Sequence, residues 1–226
     1  MIILVCIFIF SAFHIIKITY GYKQANKINT ELQAQFVTKS DTQIPISIDF
    51  DTLKERNSDI TGWIYCPDTP INYPIVQGNN NNQYLRTDLN GKYSVSGTIF
   101  ADYRNKDLSD PNYIIYGHNM DDLSMFGTLK KYKKDGYFDA HPIIFLLTPE
   151  ENYIIELFAG ALVKKDSEIY KTDPPKDVIN DIRNRSTFEC NIEVADNDTI
   201  VTLSTCSYEF NDARYVLLGK LKTSLP

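Results

Sequence analysis

From Gly62 onward the chain is cut into short apolar runs separated by turn residues: GWIYC, INYPIVQ, GTIFADY, NYIIYG, IIFLLT, NYIIELFAGALV, DTIVTLSTC and RYVLLGKL. Short strands at this density predict a mainly β fold, closed as a barrel or stacked as a sandwich. Two helical segments interrupt them. Residues 122–132 (DLSMFGTLKKY) place Leu123, Phe126 and Leu129 on one helical face. Residues 173–185 open on Asp173 as a cap, followed by prolines suited to a first turn, with Val178, Ile179 and Ile182 turned inward.

Ahead of this body lies a second constraint. Residues 1–16 are continuously apolar apart from Ser11 and His14. Extended to Tyr22, the stretch approaches the ~20 residues that span hydrocarbon. Tyr20 and Tyr22 would then lie at the interface, with Lys23 just beyond it. No small-residue cleavage site follows, so residues 1–22 are expected to be a retained membrane anchor. Lys17, Lys23 and Lys27 follow the apolar stretch and, taken alone, would put the rest of the chain in the cytoplasm. Residues 24–38 carry Ile28, Leu32 and Phe36 at helical spacing, and residues 39–48 resemble a linker. Together they make a stalk over 23–48. Phe50–Arg56, behind Asp49 as a cap, reads as a short helix opening a domain over 49–226.

The formal charge is −6, and the first 30 residues hold three lysines and no acid. The body is therefore acidic, which argues against nucleic acid as a partner. There is no Gly-rich phosphate loop. Cys6, Cys66, Cys190 and Cys206 form no C-x-x-C pair, and no acids are spaced as a calcium site, so neither metal nor cofactor is expected. A Cys66–Cys190 disulfide is open in an oxidising compartment.

The chemistry concentrates near the C-terminus, in TLSTCSYEFNDARYVLLGKL. If its two strand-like runs pair antiparallel, Cys206 and Arg214 stand nearly opposite, about 5 Å apart at Cβ. A thiol usually needs a positive neighbour or a histidine to act as a nucleophile. His14 lies in the anchor and His141 in a turn, which leaves His118 of NYIIYGHNM. Gly117 beside it would let a substrate backbone come close. His118 could protonate a leaving amine. Arg214, permanently charged, could hold a carbonyl or its oxyanion. The plainer alternatives are a small buried cysteine at a strand end, a satisfied histidine and a solvated edge arginine.

TLSTC followed by an arginine opening the next strand resembles the signature of sortases, as does YGHNM followed by SMFGTLKKY. The stretch from DITGWIYC to SGTIFADYRN is similar to that family's opening strands, above all in its class B branch. The resemblance runs from about residue 49 to 221. It implies an eight-stranded barrel with N-terminal helices and a helix before the catalytic strand. It implies that Cys206 attacks the carbonyl after Thr in a C-terminal sorting motif, giving a thioacyl-enzyme. His118 would act as acid and then base, and Arg214 would position substrate and oxyanion. Partners would be secreted proteins bearing the motif and an amino group of a peptidoglycan precursor, with the catalytic domain outside the cell membrane. A hydrolytic cysteine peptidase and a non-catalytic peptide-binding barrel are the competing readings.

Overall fold

A computed structural model describes residues 2–40 and 44–223; Met1, residues 41–43 of the expected linker and the last three residues lie outside the described part. One helix, α1 (Ile2–Phe36), leads into two short strands, β1 (Val37–Lys39) and β2 (Ile46–Ile48), and a helix α2 (Phe50–Arg56). Then follow β3 (Ile60–Tyr65), β4 (Asn72–Val76), β5 (Ile99–Ala101), β6 (Asn112–Tyr116), α3 (Tyr137–Ala140), β7 (Ile143–Leu147), β8 (Asn152–Lys164), α4 (Lys176–Asn184), β9 (Ile200–Cys206) and β10 (Ala213–Thr223). The last eight strands close a barrel in the order β10-β8-β7-β3-β4-β5-β6-β9. β6 and β9 run parallel, and β9 and β10 antiparallel. The expected mainly β barrel is the fold.

Most strands are covered on both faces, which is why they read as unbroken apolar runs rather than as alternation. Inward residues such as Ile64, Ile75, Ile115, Leu157, Val201, Leu203 and Tyr215 fill the barrel. An eight-stranded barrel is just wide enough for side chains to fill it. Outside, Trp63, Val76, Phe100 and Leu147 pack with Leu32 and Phe36 of α1 and Leu53 of α2. On another face Phe158, Val216 and Leu218 pack with Ile182 of α4.

The structure modifies several local expectations. Anchor and stalk helix are one uninterrupted helix, and residues 37–39 and 46–48 pair as a small antiparallel ribbon where a helix end and a linker were expected. Phe50–Arg56 is helical as read, with the Asp49 carboxylate accepting from Thr52 N. Residues 122–132 do not form a continuous helix. The Asp122 carboxylate accepts from both the backbone N–H and the hydroxyl of Ser124, and Leu123 and Met125 take positive φ, so a turn competes successfully. A 3₁₀ helix begins only at Gly127, burying Leu129, with Phe126 buried at its cap. The second helix starts at Lys176 with Pro175, not Asp173, in the capping position. Cys66 and Cys190 are free; their sulfurs lie 3.7 Å from the Ile143 carbonyl and 3.5 Å from the Leu157 carbonyl, respectively.

Candidate active site

Antiparallel pairing of β9 with β10 puts Cys206 directly opposite Arg214. Parallel pairing of β6 with β9 sets Tyr116 opposite Ser204, so the residue two beyond Tyr116, His118, leaves the sheet at the same barrel end. The three side chains line one cavity of roughly 740 Å³. Topology thus gathers what the sequence scatters.

Backbone contacts hold the two strand ends together. Gly117 N donates to the Ser204 carbonyl at 3.1 Å, and the Thr205 hydroxyl donates to the Gly117 carbonyl at 2.8 Å. Asn119 Nδ2 donates to the carbonyl of Cys206 itself at 2.8 Å. That amide's Oδ1 is buried with no partner among the described residues. Asn119 therefore ties the histidine loop to the cysteine strand. Sequence reading passed over it, although its place beside His118 was a signal. Gly117 also answers to the core. A Cβ there would lie 2.5 Å from Ile99 Cδ1 and 2.6 Å from Phe126 Cγ, so the core beneath the site requires the glycine.

His118 Nε2 lies 2.6 Å from the Leu85 carbonyl. A carbonyl only accepts, so Nε2 carries the hydrogen and Nδ1 of the neutral ring is the nitrogen free to take a proton. Burial pushes the imidazole pKa below its ordinary value; the Leu85 carbonyl opposes this and Arg86 adds to it. Arg214 Nη1 donates to the Ala213 carbonyl at 2.9 Å, and the neighbouring Asp212 carboxylate pairs with Lys165 at 2.8 Å instead. Cys206 is half-buried at the end of β9. Beyond it the Ser207 hydroxyl and Lys133 ammonium both hydrogen-bond the Glu209 carboxylate. Burial resists ionisation of Glu209, but these bonds outweigh it and hold the group at about 2.

One wall of the cavity rests on a network that sequence reading did not single out. Asp102 is fully buried, and its carboxylate accepts from Arg104 Nε at 2.8 Å, Arg104 Nη2 at 2.6 Å, Asn81 at 2.9 Å and the Tyr116 hydroxyl at 2.9 Å. Burial alone would raise its pKa, yet the Arg104 fork and the other donors bring it below the usual carboxylate range. The Tyr116 ring stacks on Tyr170, whose hydroxyl lies 2.8 Å from Ser204 Oγ. Residues two apart in ADYRN were the available sign of the Asp102–Arg104 pair.

A closed barrel that presents a thiol, an imidazole and a guanidinium to one cavity has the layout of an enzyme that transfers acyl groups through cysteine. A Sortase domain model matches residues 64–222. Sortase B of Listeria monocytogenes is 37% identical over 179 residues, covering 76% of this chain and 73% of that protein. Sortase B of Staphylococcus aureus is 31% identical, covering 97% of this chain and 94% of that protein. A crystal structure of sortase B from B. anthracis superposes with a TM-score of 0.77 at 31% identity, covering 91% of this chain and all of that one. The chain belongs to the sortase family, with sortase B proteins as its relatives.

Proposed function

We propose that this sortase cleaves a C-terminal sorting motif after Thr and transfers the protein to an amino group of a peptidoglycan precursor. The observation that carries the reading is the direct opposition of Cys206 and Arg214 across β9 and β10, with His118 on the same cavity. In this scheme the Cys206 sulfur bonds to the Thr carbonyl carbon while its proton passes to His118. The oxyanion that forms is held by the Arg214 guanidinium. As the intermediate collapses, the peptide C–N bond breaks, and His118 returns the proton to the leaving amine. The thioester left on Cys206 is then attacked by the acceptor amine. His118 removes that amine's proton, the C–S bond breaks, and the thiol is regenerated.

The same reading takes residues 1–22 as the anchor, 23–48 as the stalk and 49–226 as the catalytic domain, held outside the membrane where wall precursors and secreted substrates are. α1 supports the anchor: it is long and apolar enough to cross a membrane, and its residues from Ile3 to Ile18 are largely exposed.

The test is to incubate the full-length protein with a library of sorting-motif peptides and an amine such as triglycine. The expected product is the amine adduct at Thr. A free acid alone, with no adduct under any condition, would assign a hydrolytic peptidase. Undiminished product from Cys206→Ala would remove the nucleophile assignment altogether.

A further inference from the structure

α1 does not lift the barrel clear of its apolar span. A Cβ added at Gly21 would lie 3.0 Å from a Val95 methyl, and Tyr22 packs against the barrel's interior cluster. One turn further, Asn26 Nδ2 donates to Asp122 Oδ2 at 3.0 Å. A helix rises about 1.5 Å per residue, so the barrel's loops begin within roughly 6 Å of the level of Tyr22.

Two of these loops carry aromatic rings standing in solvent. Tyr93, two residues before Val95, is 76% exposed, and Tyr208, two residues beyond the Cys206 carbonyl that Asn119 bonds from the loop leading to Asp122, is 80% exposed. Among the described residues they are the most exposed aromatic side chains, just ahead of Phe8 in the apolar span at 73%, with Tyr20 at 61%. Both sit on well-fixed backbone. Tyr208 N donates to the Glu209 carboxylate at 3.0 Å, and Tyr93 bridges to Thr87 across a turn whose Asn90 and Lys92 N–H groups bond the Asp88 carboxylate. A phenol ring is favoured where one end meets hydrocarbon and the other water, which is the condition at a bilayer surface.

We propose that Tyr93 and Tyr208, together with Tyr20, form a membrane-contact face that seats the barrel on the headgroup layer of the bilayer crossed by α1. The proposal rests on reading residues 1–22 as a membrane span. Its occupant is the lipid surface, because the face is continuous with the helix that enters it. The cavity then opens near the membrane plane. Tyr208 is two residues beyond Cys206, and Arg86, whose Nη1 donates to the Val95 carbonyl at 2.5 Å, follows the Leu85 that takes the His118 bond.

The test places the full-length protein in phosphatidylcholine vesicles without bromine, with bromine near the headgroup end of the acyl chains, and with bromine near their methyl ends, the depth of residue 10. Tryptophan emission is compared for Phe10→Trp, Tyr93→Trp, Tyr208→Trp and Gln35→Trp. The single native tryptophan, Trp63, is fully buried and gives a constant background. Each substituted side chain is exposed, so the fold is not at risk. Brominated lipid is expected to quench emission at 10, 93 and 208, and to spare 35, roughly 20 Å along the helix from Tyr22. Quenching at 10 without quenching at 93 and 208 overturns the contact face and leaves the anchor standing. No quenching at 10 overturns the anchor and the face with it. Equal quenching at 35 means the helix lies along the surface, which also overturns the proposal.

Discussion

Arg214 and His118 make different demands on their surroundings, and each can be tested at the level of a single side chain. Arg214 keeps its charge throughout, so its contribution depends on where its planar donors point. Removing an oxyanion donor typically costs about 10²–10³ in rate. Arg214→Ala should therefore lose turnover to that extent in the peptide–amine assay while melting like the parent protein. Arg214→Lys should not restore it; full activity in either variant would remove the assigned role. His118 titrates, and burial disfavours its charged form. Its midpoint, read from ring-proton chemical shifts, should fall below the ~6.5 of an unfolded chain. Between those two values the unfolded chain binds a proton that the folded chain does not. The associated stability is thus present above the unfolded value and lost as pH falls through the folded one. A measured midpoint above the unfolded value would contradict the burial argument.

At the scale of elements, the β9–β10 hairpin was legible because it is local: Cys206 and Arg214 are joined by one short loop, and strand alternation fixes which residues oppose. The meeting of β6 with β9 was not legible from pattern. His118 came into view by elimination of His14 and His141 and by the likeness of YGHNM to a known motif, whereas the only sign of Asn119, which bonds Cys206 directly, was its place beside that histidine. The misread helix over 122–132 has the same origin. Spacing of Leu123, Phe126 and Leu129 favours a helix, but the turn formed by Asp122 and Ser124 and the bridge of Asn119 with Met125 depend on contacts that spacing does not encode. Gly117 offers a test at this scale. Gly117→Ala forces a methyl into Ile99 and Phe126, and overpacking of this kind costs about 1–3 kcal/mol. The variant should melt several degrees lower and lose activity as the histidine loop shifts. An unchanged melting temperature would show that the core beneath the loop yields more readily than its packing implies.

For the whole molecule, a mainly β body, barrel or sandwich, was foreseeable from the density of apolar runs and the eight-stranded barrel only from the family resemblance, whereas the engagement of α1 with it was not. Leu32 and Phe36 were legible as one face of an amphipathic helix or stalk, but not what covers them: they are 1% and 2% exposed and pack with Trp63. Losing a buried Leu or Phe side chain costs about 2–5 kcal/mol. A chain shortened to begin just after Tyr20 should keep its folded melting transition, while one beginning after Phe36 should melt far lower or aggregate. Equal melting temperatures for the two would show that the helix merely leans on the barrel. The parallel β6–β9 pairing carries a further consequence for the chain as it is being made. The Asn119 amide and the Cys206 carbonyl it binds are 87 residues apart in sequence, and Arg214 is translated later still. Until β9 has settled between β6 and β10, the Cys206 thiol stands beside neither His118 nor Arg214. An unfolded chain accordingly carries a solitary cysteine, and the three side chains meet only when a contact of long sequence separation, entropically among the slowest, has closed.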